Sequence, residues 1–231
     1  MDAAAAARLD ELVARRAAGE PLQYVTGVAG FRHLEVAVGP GVFIPRPETE
    51  LVAELAMERL PRGGTIVDVG TGSGAIALSI ADERPDARIW GTEASADALR
   101  WAEKNRAALG LDVTFVHGDL LDALPPELAG RVDVVVANPP YVPERDRASL
   151  PRDVVEHEPA LALFGSNDGL SVIRRLAASA RRWLRAGGGL VVELGAGQTA
   201  DVTTLLAAAG YRDIAGHRDL TGRERTVEAR T

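Results

Sequence analysis

Apolar runs and helical patterns alternate along most of this 231-residue chain. Five short runs rich in valine, isoleucine and other strand-forming residues are separated or followed by stretches whose apolar positions have helical spacing. The runs predict strands over residues 65–69, 88–92, 113–117, 132–137 and 189–194. The helical patterns predict helices over residues 75–83, 96–109, 168–185 and 198–209. Such alternation is typical of an α/β protein with a largely parallel sheet.

Smaller elements are predicted at the two ends of the chain. An Ala-rich amphipathic stretch at residues 2–18 predicts a first helix. A hairpin and a helix that begins after Pro47 should follow, and two closing strands would complete a seven-stranded sheet. These elements are predicted over residues 28–31 and 34–38 for the hairpin, 48–60 for the helix, and 211–217 and 223–229 for the closing strands.

A long connection runs from residue 142 to residue 167, after the fourth strand. Pro143, Pro151 and Pro159 argue against one continuous helix through it. Connections of this length are uncommon in compact domains and usually carry function. We therefore expect this segment to cover the active site.

Composition and charge exclude several classes of protein. The chain is 46% hydrophobic but only 4% aromatic, which indicates a core of small aliphatic side chains. Its 26 basic residues against 33 acidic ones give a net charge of −7, and no dense basic run is present, so no nucleic-acid partner is expected. No apolar stretch reaches the roughly 18 residues of a membrane span. The chain also lacks cysteine and a signal-peptide pattern, and a cytoplasmic location is expected.

Histidines and neighbouring acids do not predict a metal site. The four histidines are scattered along the chain. His157 lies between two glutamates, but one histidine with two adjacent acids lacks the spacing of metal ligands. No resident metal is therefore expected.

A glycine-rich loop follows the strand at residues 65–69 and opens the next helix. Glycine at three alternate positions lets the backbone turn tightly and approach a ligand, and the helix N-terminus offers unpaired N–H groups. The GxGxG spacing is weak evidence alone and departs from the GxGxxG of dinucleotide-binding folds. The acid of the strand and the loop comprise Asp68, Gly70, Thr71, Gly72, Ser73 and Gly74.

Acidic residues also follow the next two strands. Glu93 lies about 20 residues past the loop, where a carboxylate meets ribose hydroxyls in related α/β folds. Asp119 and Leu120 follow the strand at residues 113–117. The joint position of these acids favours an adenosine-bearing cofactor, with Glu93 on the ribose and Asp119 near the adenine. The residues alone leave open which adenosine cofactor it is.

Asn138, Pro139, Pro140 and Tyr141 directly follow the apolar run at residues 132–137. An Asn at the end of a buried strand projects its amide into the ligand crevice of an open sheet. The two prolines lack N–H groups, so nearby carbonyls are free to accept hydrogen bonds, and the tyrosine adds a flat wall. This pocket suits a planar NH2 group, such as a glutamine amide or an adenine N6. The alternative is an ordinary strand-ending turn, because Asn-Pro is common in turns.

These motifs together resemble those of class I S-adenosylmethionine-dependent methyltransferases that modify amino nitrogens. Further segments resemble the HemK/PrmC family, the N5-glutamine methyltransferases of peptide chain release factors. These segments are residues 21–27 (PLQYVTG), 45–50 (PRPETE), 158–163 (EPALAL) and 219–225 (DLTGRER). The NPPY motif is shared with adenine methyltransferases, whereas the PRPETE segment is specific to the HemK/PrmC family.

The resemblance implies a fold and a domain organisation. The fold would be a three-layer, doubly wound, Rossmann-like α/β structure with a seven-stranded, mostly parallel sheet, an antiparallel last strand, and a small N-terminal helix and β-hairpin. Residues 1–20 would be the remnant of a helical N-terminal substrate-recognition domain, residues 21–50 a hairpin linker, and residues 51–231 the methyltransferase domain. Only about one helix precedes the PLQY segment, fewer than the family usually has, so a truncated form is expected.

The resemblance also implies an activity and assigns site residues. The enzyme would transfer a methyl group from S-adenosylmethionine, with S-adenosylhomocysteine as product, to the glutamine of the Gly-Gly-Gln loop of a release factor. Catalysis would rest on Asn138, Pro139 and Tyr141, and Pro140 would join them in binding the substrate. The expected cofactor-binding residues are Asp68, Gly70, Thr71, Gly72, Ser73, Gly74, Glu93, Asp119, Leu120 and Asn138.

Two positions depart from the family pattern, and other functions stay open. Family members usually carry Asp at the position of Glu93 and often an aromatic residue at that of Leu120. An adenine-N6 methyltransferase of nucleic acids is the main alternative, since it would share the cofactor site and NPPY motif. A non-catalytic nucleotide-binding module and an NAD-dependent dehydrogenase fit the motifs less well. A monomer is expected.

Overall fold

A computed structural model describes residues 2–231. The helices are α1 (Ala3–Ala17), α2 (Leu22–Thr26), α3 (Glu50–Arg59), α4 (Ala75–Glu83), α5 (Ala96–Leu109), α6 (Arg152–His157), α7 (Ala160–Leu163), α8 (Ser171–Trp183) and α9 (Thr199–Ala208). The strands are β1 (Val28–Phe31), β2 (Leu34–Ala37), β3 (Thr65–Val69), β4 (Arg88–Glu93), β5 (Thr114–His117), β6 (Val132–Ala137), β7 (Leu184–Glu193), β8 (Arg212–Arg218) and β9 (Glu224–Arg230). Short 3-10 helices span Pro47–Thr49, Pro126–Leu128 and Glu144–Ser149.

Seven strands form one sheet in the order β5-β4-β3-β6-β7-β9-β8, and β1 and β2 form a separate antiparallel hairpin. β3 pairs in parallel with both β4 and β6. β9 pairs antiparallel with both β7 and β8. The expected seven-stranded, mostly parallel sheet with an antiparallel last strand is therefore confirmed. The strand order reverses between β3 and β6, and ligands bind at such switch points in open α/β sheets.

The central strands have no solvent-facing side. Every residue of β3 is buried, and β6 is buried except at Asp133. Successive side chains point to opposite faces, so Ile66 and Val134 join the core under α3 and α4, while Val67 and Val135 join the core under α8 and α9. A sheet covered on both faces explains why these strands are continuous apolar runs and show no alternation with polar residues.

The boundary predicted between α8 and β7 is wrong. The helix predicted over residues 168–185 starts at Ser171 and ends at Trp183, and β7 begins at Leu184, five residues before the predicted start. Leu184 is buried and pairs with Val132, after which a register shift precedes the pairing of Gly189 with Val134. Glycines at 187–189 are poor strand formers. Pairing with β6 overrides that local preference.

Other local features differ little from expectation. The expected hairpin forms, and α2 within the predicted linker was not anticipated. The predicted first helix is α1, in which Asp2 caps the N-terminus by accepting from the Ala5 N–H, and whose apolar Leu9 and Val13 are exposed. As expected, no single helix runs through the connection at residues 142–167: it holds three short helical segments, each beginning directly after a proline.

Gly74 is required by packing at the start of α4. Its φ is +85°, and a Cβ there would lie 2.9 Å from Leu78 Cδ1 and 3.1 Å from Phe115 Cζ. Gly110 also has a positive φ, +66°, but a Cβ there would meet nothing within 4 Å. The two glycines therefore form a matched pair that separates backbone strain from steric overlap.

We expect Gly110→Ala to lower the free energy of unfolding by about 1–2 kcal/mol, the strain of a left-handed alanine. Gly74→Ala should lose about 1–3 kcal/mol more, because the methyl group overpacks the core. Denaturant unfolding of both variants measures the difference. Equal losses would mean that Leu78 and Phe115 move aside freely.

Candidate functional site

A cavity opens at the carboxyl ends of β3, β4, β5 and β6. Of the residues predicted from the sequence, eight line it: Gly70, Gly72, Glu93, Asp119, Leu120, Asn138, Pro139 and Pro140. Phe43, Arg175 and three residues of the long connection, Pro159, Leu161 and Ala162, also line it, and none of these was predicted as a site residue. The structure thus brings the glycine loop, the two acids and the NPPY motif to one place, under the long connection.

The other predicted residues lie behind the cavity wall. These are Asp68, Thr71, Ser73, Gly74 and Tyr141, none of which lines the cavity. For the first four, direct contact with a cofactor stays a prediction, as does the contact of Tyr141 with a substrate. Their observed contacts instead fix the loop and the NPPY segment in place.

Asp68 supports the glycine loop from below. Its carboxyl is buried, and its Oδ2 accepts hydrogen bonds from the Thr71 hydroxyl at 2.5 Å and from the Ala77 N–H at 3.2 Å. Burial raises the pKa of Asp68 to about 7, although these two hydrogen bonds favour the charged form. Asp68 therefore ties the loop to the first turn of α4.

Glu93 ties the same loop to the next strand and faces the cavity. Its Oε2 accepts from the Gly72 N–H and its Oε1 from the Ser95 N–H, both at 2.8 Å. Only 8% of the residue is exposed. Each oxygen keeps a lone pair, so the fixed carboxylate can still accept from two neighbouring hydroxyls. This arrangement fits the ribose diol of an adenosine cofactor.

The loop backbone leaves space for a ligand at Gly72. Its φ is +58°, in the left-handed region, and a Cβ there would meet no protein atom within 4 Å although the residue lines the cavity. Gly72 therefore differs from Gly74, whose missing Cβ is explained by the protein's own core. The loop fits the cofactor that the motifs imply.

Asp119 is exposed at the rim next to Leu120. Its Oδ2 pairs with the guanidinium of Arg175, and both side chains are more than half exposed. Water screens such pairs, so this one contributes little to stability. Leu120 itself has a φ of +49°, an uncommon conformation for leucine that local sequence does not signal.

Asn138 presents an acceptor to the cavity because Thr49 holds its nitrogen. Asn138 Nδ2 donates to Thr49 Oγ1 at 3.1 Å, and Thr49 is buried at the end of the 3-10 helix Pro47–Thr49. Among residues 2–231, no group donates to Asn138 Oδ1 or to the Pro139 carbonyl. Two acceptors therefore stand free at the cavity wall.

Tyr141 is anchored by Glu193 at the end of β7. The Tyr141 hydroxyl donates to Glu193 Oε1 at 3.1 Å, and the Tyr141 carbonyl accepts from Gln198 Nε2 at 3.0 Å. The Arg225 guanidinium lies 5.9 Å from the centre of the tyrosine ring. Burial raises the pKa of Tyr141 well above its usual range and that of Glu193 to about 7. Sequence patterns did not reveal Glu193.

Two of the family-like segments meet at the rim of the cavity. Arg46 of PRPETE pairs with the carboxylate of Glu158 of EPALAL, whose Oε2 also accepts from the Ile44 N–H at 3.1 Å. The Arg46 guanidinium lies 4.8 Å from the ring centre of Phe43, which lines the cavity. Burial raises the pKa of Glu158, and Arg46 opposes that rise. The pair holds the long connection over the site.

Residues 2–231 hold neither a membrane-spanning helix nor a metal-binding cluster. No helix there is long and apolar enough to cross a bilayer. Nor do three or more of its histidine, aspartate and glutamate side chains come together in a way that could hold a metal ion.

Family models match two parts of the chain. A model described as the methyltransferase small domain matches residues 33–161, more than half of the chain. A model described as the PrmC N-terminal domain matches residues 1–27.

Curated relatives match almost the whole chain. The release factor glutamine methyltransferase of Mycolicibacterium smegmatis is 46% identical over 230 residues, covering 99% of this chain and 81% of the relative. That of Streptomyces coelicolor is 46% identical over 229 residues, covering 97% and 80%. A solved methyltransferase structure from Pyrococcus furiosus shares the fold, with a TM-score of 0.64 at 17% identity, over 85% of this chain and 88% of that one.

Replacing Glu93 tests the cofactor site. We expect Glu93→Ala to weaken S-adenosylmethionine binding by about 1.5–3 kcal/mol, because charge-assisted hydrogen bonds to the ribose are lost. Calorimetry on the variant measures this. Glu103→Ala is the control and should bind normally, because Glu103 is a partly exposed glutamate of α5 that pairs with Arg106 and does not line the cavity. If Glu93→Ala is folded and binds with unchanged affinity, Glu93 serves only the loop.

Proposed function

The chain belongs to the release factor glutamine methyltransferase family, and we propose that it methylates the N5 side-chain nitrogen of the glutamine in the Gly-Gly-Gln loop of peptide chain release factors. S-Adenosylmethionine is the proposed methyl donor. The cytoplasmic location and monomeric state expected from the sequence stay predictions.

The free acceptors at the cavity wall carry the proposal. A primary amide is a poor nucleophile because its nitrogen lone pair is delocalised into the carbonyl. Asn138 Oδ1 and the Pro139 carbonyl can each accept one N–H of such an amide, and the hydrogen bond from Asn138 Nδ2 to Thr49 leaves Oδ1 free to do so. Held in this way, the nitrogen presents its remaining face to the methyl donor, so catalysis rests on orientation and preorganised polar groups.

The cofactor, when bound, supplies an electrophilic methyl group on a sulfonium sulfur. Glu93 would hold the ribose hydroxyls, and the loop at Gly70 and Gly72 would lie against the rest of the molecule. As the substrate nitrogen gains the methyl group it becomes strongly acidic and loses one proton to an acceptor oxygen or to water. No strong base is needed for this step.

The long connection supports a protein substrate that reaches into the cavity. Leu161 lines the cavity and is 66% exposed, so its side chain also reaches the outer surface. An adenine amine would fit the same two acceptors. The net charge of −7 opposes a nucleic-acid substrate, because phosphate contacts dominate the affinity of such enzymes.

A direct assay separates the two substrates. The chain is incubated with radiolabelled S-adenosylmethionine and either an intact release factor or duplex DNA. Label should enter the release factor and not the DNA, and a release factor with its loop glutamine changed to alanine is the control for the site. Label in the control protein or in DNA would contradict the proposal.

Asn138 should matter for turnover and little for cofactor affinity. We expect Asn138→Ala to lower kcat by about 10²–10³, the loss typical of one preorganised polar group. Asn138→Asp keeps the shape and adds a negative charge beside the sulfonium, which favours the charged ground state over the transition state. That variant should turn over slowly and bind the cofactor more tightly. Full methyl transfer by either variant would show that Asn138 has no part in catalysis and that the NPPY segment is only a strand-ending turn.

A further inference from the structure

Glu193 is a buried acid with an unused oxygen beside the proposed catalytic residues. It is 1% exposed at the carboxyl end of β7, and its Oε1 accepts from the Tyr141 hydroxyl. Its Oε2 is buried and has no hydrogen-bond partner among residues 2–231. An unpaired buried acceptor is costly and calls for a physical explanation.

We assign the Thr49 hydroxyl as the donor that can turn to the Glu193 carboxylate. Among the groups that favour the charged form of Glu193, it is the one that lowers the pKa most. Thr49 is 4% exposed, and its Oγ1 already accepts from Asn138 Nδ2. Its single proton is therefore free to turn toward Glu193.

Thr49 alone cannot decide which way the Asn138 amide points. A hydroxyl both donates and accepts, so it can pair with either end of an amide. With Nδ2 on Thr49, Oδ1 faces the cavity and can accept from a substrate. With Oδ1 on Thr49, the NH2 group would face the cavity and repel a substrate N–H.

We propose that Glu193 is a positioning residue that sets the orientation of the Asn138 amide through Thr49. A carboxylate only accepts hydrogen bonds, so it draws the Thr49 proton toward itself and leaves Thr49 Oγ1 to accept from Asn138 Nδ2. Oδ1 then stays toward the substrate. The role in catalysis rests on the proposed function, whereas the orientation itself does not.

The proposal gives the activity a pH dependence with a definite sign. Burial raises the pKa of Glu193 to about 7, and the charged groups that face it are Arg225 of β9, which favours the carboxylate, and Glu48 of the 3-10 helix, which opposes it. The carboxylate positions Asn138, whereas the protonated acid can donate to Thr49 and release this constraint. Activity should therefore fall as the pH is lowered through about 7.

Glu193→Gln is the first test, because its NH2 group can donate to Thr49. We expect kcat on the release factor to fall at least about tenfold, while KM and cofactor affinity change less than about twofold, and the pH limb near 7 should disappear. Glu228→Gln is the matched control: Glu228 is a 7% exposed glutamate on β9 that pairs with Arg59. Its kcat and pH profile should be those of the unchanged chain.

A double-mutant cycle tests the route through Thr49. Thr49→Val removes the hydroxyl, so adding Glu193→Gln to it should cost little more, and Thr49→Ser should restore most of the activity. Independent, multiplying losses would overturn the proposal. So would a Glu193→Gln variant with normal kcat and pH profile, or one whose loss comes with a lower Tm and weaker cofactor binding, which would indicate a purely structural role.

An activity-independent readout separates this inference from the proposed function. The side-chain amide signals of Asn138, assigned by their loss in Asn138→Ala, are followed by ¹⁵N NMR against pH. They should shift with a midpoint near 7 in the unchanged chain and stay constant in Glu193→Gln. An unchanged chain that shows the shift but does not methylate a release factor would refute the proposed function alone. Absence of the shift would refute the positioning role.

Discussion

The parallel pairing of β3 with β6 is the constraint on which the site depends. Val69 at the end of β3 lies opposite Ala137 at the end of β6, so the glycine loop and Asn138 emerge side by side although some 70 residues separate them. In the sequence, β4 and β5 come between β3 and β6, and in the sheet they lie on the opposite side of β3 from β6. That reversal leaves the crevice open, and a sheet buried on both faces keeps it rigid.

Around this crevice, buried carboxylates fix backbone and hydroxyl groups. Asp68 holds Thr71 and the start of α4, Glu93 holds the N–H of Gly72, and Glu193 holds the Tyr141 hydroxyl. Burying a carboxylate is unfavourable unless hydrogen bonds compensate, so each of these acids is tolerated only because its hydrogen-bond partners are in place. The same burial raises the pKa of Asp68 and of Glu193 to about 7.

Segments far apart in the chain complete the site through a few polar contacts. Thr49 reaches Asn138 across 89 residues, and Arg46 reaches Glu158 across 112. The first contact orients a side chain at the cavity wall, and the second holds the long connection over it. Arg225, from the DLTGRER segment, lies over the ring of Tyr141. The segments PRPETE, EPALAL and DLTGRER carry the family resemblance. Their contacts show that each of them helps to position the NPPY motif or the long connection above it.

The amino-acid sequence predicts the existence of the central strands, the glycine loop and the family, because hydrophobic periodicity, glycine spacing and short motifs are local signals. It placed the pocket residues Gly72, Glu93 and Asn138 correctly at one edge of the sheet. The start of β7 at Leu184 was not predictable in this way, nor was the contact of Thr49 with Asn138 or that of Glu193 with Tyr141. Those outcomes depend on pairing with β6 and on packing across the sheet, which join residues with no sequence signal in common.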